Sequence, residues 1–152
     1  MNTLLHFLLA YFVVQIVLGN AFEYIIPIFI FSVILDIDHV RYVLREKGKI
    51  KEKRFGYESR TRFHELYGFT IASVLISISF MFDQMLAQII GISIILHYAM
   101  DFIVGKSRPF YPFSKLDVDI KLCSDRIREV SEVLLTVILL VFVWLTVPSL
   151  VL

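Results

Sequence analysis

Apolar and polar stretches alternate along the chain in long blocks. The apolar runs cover residues 3–19, 23–37, 66–82, 84–104 and 130–152, and two polar windows cover 40–63 and 105–129. A helix that crosses about 30 Å of hydrocarbon needs about 20 residues, within a range of about 17–25. Runs 84–104 and 130–152 meet that requirement, 3–19 is just long enough and 66–82 is marginal. Run 23–37 is short and contains Pro27, which predicts a kink or a helix packed inside a bundle. Asn20 and Asp83-Gln84 supply tight connections. The pattern predicts one all-α integral membrane domain over residues 1–152, a bundle of about five transmembrane helices. Within the windows, Val40, Val43 and Leu44 share a helical face, so the second helix is expected to continue into the membrane interface as far as Gly48. Residues 115–122 alternate strictly between charged and apolar, which predicts a short interfacial strand.

Composition agrees with a lipid-facing chain. Hydrophobic residues make up 58% and charged residues 19%, against about 45–50% and about 25% in soluble domains. Such a sequence is not disordered. A net charge of +1 gives no dominating basic field, so no nucleic-acid partner is expected. Cys123 is the single cysteine and builds neither an internal disulfide nor a thiolate metal site. No Lys or Arg precedes the first apolar run and no small-x-small site closes it, so residues 3–19 read as a retained membrane helix.

The basic residues fix an expected orientation. All fifteen Lys and Arg lie in the two windows, nine between Arg41 and Arg62 and six between Lys106 and Arg128. The positive-inside rule puts both windows in the cytoplasm. The protein is then expected to be a multi-pass cell-membrane protein with its N-terminus cytoplasmic and its C-terminus outside. The outer turns carry only Glu23 and Asp83 as charges.

The informative exceptions are polar residues inside or beside apolar helices. The four histidines are His6, His39, His64 and His97, and near them in sequence stand Asp36, Asp38, Glu65 and Asp101. On the expected topology all eight fall at the cytoplasmic level, delivered by four helices. A charge within a membrane helix costs about 2.5–3.5 kcal/mol on insertion scales, so Asp36 and Asp101 need a cation or a metal. His97 and Asp101 are four apart and share a helix face. Imidazole and carboxylate ligands suit zinc first, then manganese or iron. The candidate ligands are His6, Asp36, Asp38, His39, His64, His97 and Asp101, enough donors for one or two ions; paired ions about 3.5–4 Å apart are common in phosphoester hydrolysis. Each piece alone has a bland reading. A lone His in a helix is more often a hydrogen-bonded structural residue, Asp38 reads equally as a cap, and HxxxD is common. Their conjunction on one side favours a metal or acid–base site over a polar network that merely orders the bundle.

Taken in order, His6, Asp36-Ile37-Asp38-His39, His64, His97-x-x-x-Asp101 and Pro112-Phe113 resemble the YdjM-like family of membrane-bound, metal-dependent hydrolases. That family has a helical N-terminal His, a DxDH box, an HR-x-x-TH box, an HxxxD box and a following Pro-Phe, and the resemblance covers residues 1–115. In the third box Glu65 stands in place of Arg and Phe69 in place of the second His. The family is similar to zinc-dependent phospholipase C in its ligand types, which implies phosphoester chemistry.

The expected function is a metal-dependent hydrolase of phosphoesters, a phospholipid or lipid-linked phosphate, at the cytoplasmic membrane face. Glu65 or Asp38 is the expected general base. Arg41, Arg60, Arg62 and Arg108 are the candidates to hold phosphate, against a plain role in topology and anionic-lipid attraction. The alternative is a non-enzymatic, metal-stabilised scaffold or regulatory protein that uses the 40–63 loop. An intramembrane metalloprotease ranks lower, because Gly68 occupies the second His position of an HExxH box. The acid-phosphatase signature of lipid phosphatases fails on order, since Ser107-Arg108-Pro109 follows His97. Gly68, Ala72 and Ser73 permit close helix packing within or between protomers and leave the oligomeric state open.

Overall fold

The computed structural model describes residues 2–45, 60–104, 106–114, 116–120 and 124–146. The centre of the 40–63 window, Cys123 and the end of the 130–152 run lie outside the described residues. The helices are α1 (Thr3–Leu18), α2 (Ile25–Val33), α3 (Ile37–Arg45), α4 (Leu66–Ser79), α5 (Gln84–Val104) and α6 (Asp125–Thr146). Short 3-10 turns cover Ile34–Asp36 and Arg62–His64.

Local chemistry explains the boundaries. Asn2 caps α1 by accepting from the Leu5 amide at 2.7 Å, and the helix ends where Gly19 adopts φ 78°, a conformation most residues avoid. Pro27 falls in the first turn of α2, where an amide has no intrahelical partner, so it does not bend the helix. The break in the expected 23–37 helix comes later, in the 3-10 turn Ile34–Asp36, after which α3 runs on to Arg45. The last helix begins at Asp125, five residues earlier than the hydropathy boundary at 130, because the Ser124 hydroxyl accepts from the Ile127 amide and charged residues extend the first turns.

Of the expected strand at 115–122, residues 115, 121 and 122 lie outside the described residues, and among the others two are in a strand. Val118–Asp119 pairs antiparallel with Lys106–Ser107, Lys106 opposite Asp119 and Ser107 opposite Val118.

Among the described residues, two helices are long and apolar enough to cross a membrane, Gln84–Val104 and Arg126–Thr146. At about 1.5 Å per residue, α1 and α4 reach roughly 24 and 21 Å, short of the hydrocarbon thickness. The count of five spans expected from hydropathy therefore exceeds what helix length supports among the described residues, because the apolar runs 3–19 and 66–82 include residues beyond the C-terminal ends of their helices.

Helix α1 packs against α2, α5 and α6, and α5 packs against α2 and α4. The main core gathers Ala10, Tyr11, Val14, Ala21, Ile28 and Ile89, and a second cluster joins Leu5, Leu8 and Leu139. The outer faces are apolar too: Val74, Leu75 and Ile78 on α4, and Val133, Val137 and Trp144 on α6, are exposed. Apolar surface on this scale marks lipid or protein contact.

Candidate metal centre

Four parts of the chain bring polar side chains to one end of the bundle. His6 comes from the first turn of α1. Asp36 closes the 3-10 turn after α2. His64 closes the turn before α4, and His97 and Asp101 share one face near the end of α5. All five are buried. Their facing atoms form a chain of near contacts. His6 Nε2 lies 3.4 Å from Asp101 Oδ1, and His97 Nε2 lies 3.7 Å from Asp101 Oδ2 and 3.8 Å from Asp36 Oδ1. His64 Nε2 lies 4.0 Å from Asp36 Oδ1. An N–H···O bond spans about 2.7–3.2 Å, so these separations are too long for one. Ligands on a tetrahedral ion with bonds of about 2.0–2.1 Å stand roughly 3.3 Å apart, which is nearer to what is seen.

The donors fall into two groups of three that share His97: His6, His97 and Asp101, and Asp36, His64 and His97, with the ligand atoms of each group within 4.8 Å of one another. Both ring nitrogens of His6, the Nε2 atoms of His64 and His97, and Asp36 Oδ2 are buried with no hydrogen-bond partner among the described residues. Buried polar atoms are nearly always satisfied. Five orphans in one place, beside an Asp101 carboxylate that Arg60 already faces, therefore fit a cation better than a self-contained polar network. The donor set, imidazole nitrogen and carboxylate oxygen, is that of zinc, manganese or iron.

Two histidines are aimed from behind. The His97 Nδ1 stands 2.6 Å from the Ser32 carbonyl. That oxygen can only accept, so the ring carries its proton on Nδ1 and presents the Nε2 lone pair to the cluster. His64 Nδ1 lies 3.1 Å from Asp38 Oδ2, the same carboxylate oxygen that accepts from the Thr61 amide and hydroxyl. Asp38 thus sits behind His64 rather than among the converging atoms. Gly68 allows the turn that carries His64 to fold tightly onto α4, since a Cβ there would collide with the Phe63 carbonyl. The close packing expected at Gly68 is thus against the chain's own backbone.

The remaining candidates separate. His39 is partly buried, with Nε2 at 3.7 Å from Asp36 Oδ1, and burial first, then the His64 charge, pushes its pKa below the usual histidine value. Burial also lowers His64, but the neighbouring Asp36 and Asp38 carboxylates outweigh it and the net shift is upward. Arg60 Nη2 pairs with Asp101 Oδ2 at 3.0 Å, with both side chains buried. Glu65 is buried beside Arg108 and outside both three-residue groups, and its burial raises its carboxyl pKa against the opposing pull of Arg108 and Arg60. Arg62 lies over the Phe63 and Tyr67 rings, and Arg41 is exposed on α3. Of the four candidate arginines, Arg60 contacts a member of the cluster.

Sequence patterns alone do not single out Ser32, Thr61 or Tyr98, whose hydroxyl donates to the Phe63 carbonyl. Two of these contacts use main-chain carbonyls, which leave no residue-type signal.

A family model described as YdjM inner membrane protein matches residues 1–151. The chain belongs to that family, and with its exposed apolar helices it is a membrane protein. No curated protein and no solved structure matches it.

Proposed function

Starting from membership of the YdjM inner membrane protein family, we propose that the protein is a metal-dependent hydrolase of phosphoesters, acting on a phospholipid or lipid-linked phosphate at the cytoplasmic membrane face. The observation that carries the reading is the set of buried imidazole nitrogens of His6, His64 and His97 and the Asp36 carboxylate oxygen that have no hydrogen-bond partner among the described residues, gathered with Asp101 into two groups of possible ligands. These five would hold zinc, with manganese or iron as substitutes, and His39 stands close enough to Asp36 to join them. The His6 and His97 rings stack at 3.9 Å with 16° between their planes. Lone pairs lie in the ring plane, so the stacked rings do not aim squarely at one atom, and His97, with Nε2 alone facing the cluster, would serve one of the two groups and not both. A divalent ion supplies Lewis acidity that makes water a competent nucleophile at neutral pH.

The chain's own groups have distinct parts. Asp38 and the Ser32 carbonyl hold the His64 and His97 tautomers. Arg60 is paired with Asp101 and lines the neighbouring groove, where it would bind the phosphate oxygens. Glu65 lines the same groove as Arg60 and His64 and is the group to take the proton from attacking water. Water adds to phosphorus, the ester P–O bond breaks, and the leaving oxygen takes up a proton. On this reading the five apolar runs lie in the bilayer as expected from hydropathy, the short helices α1 and α4 being met by local thinning.

The scaffold alternative draws on the deep burial of the ligands, which suits a closed structural site. The groove that reaches His64 and Arg60 favours an open one. The test is turnover by purified, zinc-supplemented protein in mixed micelles of phospholipid, with a soluble aryl phosphate alongside. Hydrolysis that stops in Asp36→Asn and on chelation is the expected result. Equal rates in wild type and Asp36→Asn, or no turnover by a metal-loaded protein on either substrate, would overturn the assignment.

A further inference from the structure

A cavity of about 320 Å³ opens between α4 and α5. Leu66 and Phe69 line it from α4; they are three apart and share a face. Ile95, Ala99 and Phe102 line it from α5, at spacings of four and three. His97 and Asp101 point the other way on α5, toward α1 and α2. At the cavity's polar end stand Arg60, His64 and Glu65. Two of these belong to the cluster as well: His64 is one of its donors, and Arg60 is paired with Asp101. The apolar slot and the polar centre therefore share side chains.

We propose that this groove is the seat of a single hydrocarbon chain of a phosphate-bearing amphiphile, holding it so that the head lies against Arg60 and reaches the His64 side of the centre. The proposal deepens the hydrolase reading and rests on it for the identity of the head group. Three features support it. The volume is at the small end of the range for ligand pockets, about 300–1,000 Å³, which suits one chain and not a complete two-chain lipid. The walls are apolar over one turn of α4 and two turns of α5, while the charged side chains come from Arg60, His64 and Glu65, in the segment just before α4 that also reaches the cluster. The guanidinium at the polar end complements an anionic head. Lipid tails are as apolar as these walls, so the groove gains little affinity from apolar contact alone. Its contribution is placement, fixing how deep the head sits.

The test is photolabelling of the full-length protein in detergent with a single-chain alkyl phosphate carrying a mid-chain diazirine, followed by peptide mapping, with metal content measured in parallel. The expected result is label concentrated on Phe69, Ile95 and Phe102, in chelated as well as zinc-loaded protein. Ala99→Trp, which fills the groove, should abolish that label and leave metal content unchanged. Ala99→Leu should reduce it and guards against misfolding of the larger variant. Val137→Trp, on the exposed face of α6, should change nothing. Label spread over the exposed faces of α4 and α6, or undiminished in a folded Ala99→Leu or Ala99→Trp protein, would overturn the slot. Labelling is read without turnover, so the two failures are distinct. Groove labelling without hydrolysis sinks the enzyme and keeps the slot, and hydrolysis without groove labelling does the reverse.

Discussion

At the turn end of the bundle, polar side chains are satisfied by the backbone beside them. Gln15 donates to the Gly19 carbonyl at 3.2 Å and accepts from the Ala21 amide at 3.1 Å, and Asp83 caps α5 by accepting from the Leu86 amide at 2.9 Å. At the other end, Asp36 Oδ2, both His6 ring nitrogens and the Nε2 atoms of His64 and His97 are buried without a hydrogen-bond partner among the described residues, beside the Arg60–Asp101 ion pair. Two neutral hydroxyls, of Tyr11 and Ser93, are also unpaired in between, but a neutral hydroxyl costs far less to bury than a carboxylate. Each orphaned buried group costs about 1–3 kcal/mol and more when charged. Five of them would consume most of a typical stability of about 5–15 kcal/mol. The comparison teaches that the first end is finished by its own backbone, while the second gathers buried donors that could hold a metal ion.

The contrast can be broken most strongly at the donors. Asp101→Ala or His97→Ala should weaken zinc affinity by more than about 100-fold, since losses one step behind the ligands already cost about 10–100-fold; chelator competition measures it. Next comes Arg60→Ala, which leaves Asp101 buried beside no guanidinium. The metal-free protein should lose about 3–5 kcal/mol in a denaturation series in detergent, and added zinc should recover part of it. Asp38→Ala leaves the ligand set intact and removes the support of His64, with an expected loss of about 10–100-fold in affinity. Asp83→Ala, at the satisfied end, should cost about 0.5–2 kcal/mol and leave zinc affinity unchanged.

Acid sharpens the same contrast. The His64 pKa is raised in the folded protein, so the stability it contributes in the metal-free state is full below the ordinary histidine pKa and fades as pH rises through the raised value. Metal binding needs the neutral ring, and its affinity should therefore climb with pH across that same interval. Asp38→Asn should move the interval down, as seen by titrating zinc affinity against pH.

Much of this arrangement was legible from residue order. His6, Asp36, His64, His97 and Asp101 interrupt or border apolar runs at matching depths, and the charge windows give the hairpin order that aligns them. The separate places of Asp36 and Asp38 were not legible. They are two apart on paper, and only the 3-10 turn at Ile34–Asp36 turns one toward the cluster and the other toward Thr61 and His64. Periodicity does not register a three-residue turn. The Ser32 carbonyl was equally hidden, because any residue at that position offers the same acceptor. Hydropathy located the helices but not their lengths, since it does not distinguish helix from the turn residues that follow Leu18 and Ser79, so two helices and not five are long and apolar enough to cross a membrane among the described residues.

The central claim, that the polar end is completed by a bound ion, is tested most directly by elemental mass spectrometry of protein purified in mild detergent, with no chelator and no metal-charged resin. One or two zinc, manganese or iron atoms per chain in wild type and Asp83→Ala, and none in His97→Ala, is the predicted result. A folded wild type that holds no metal, even after divalent ions are added back, would contradict it.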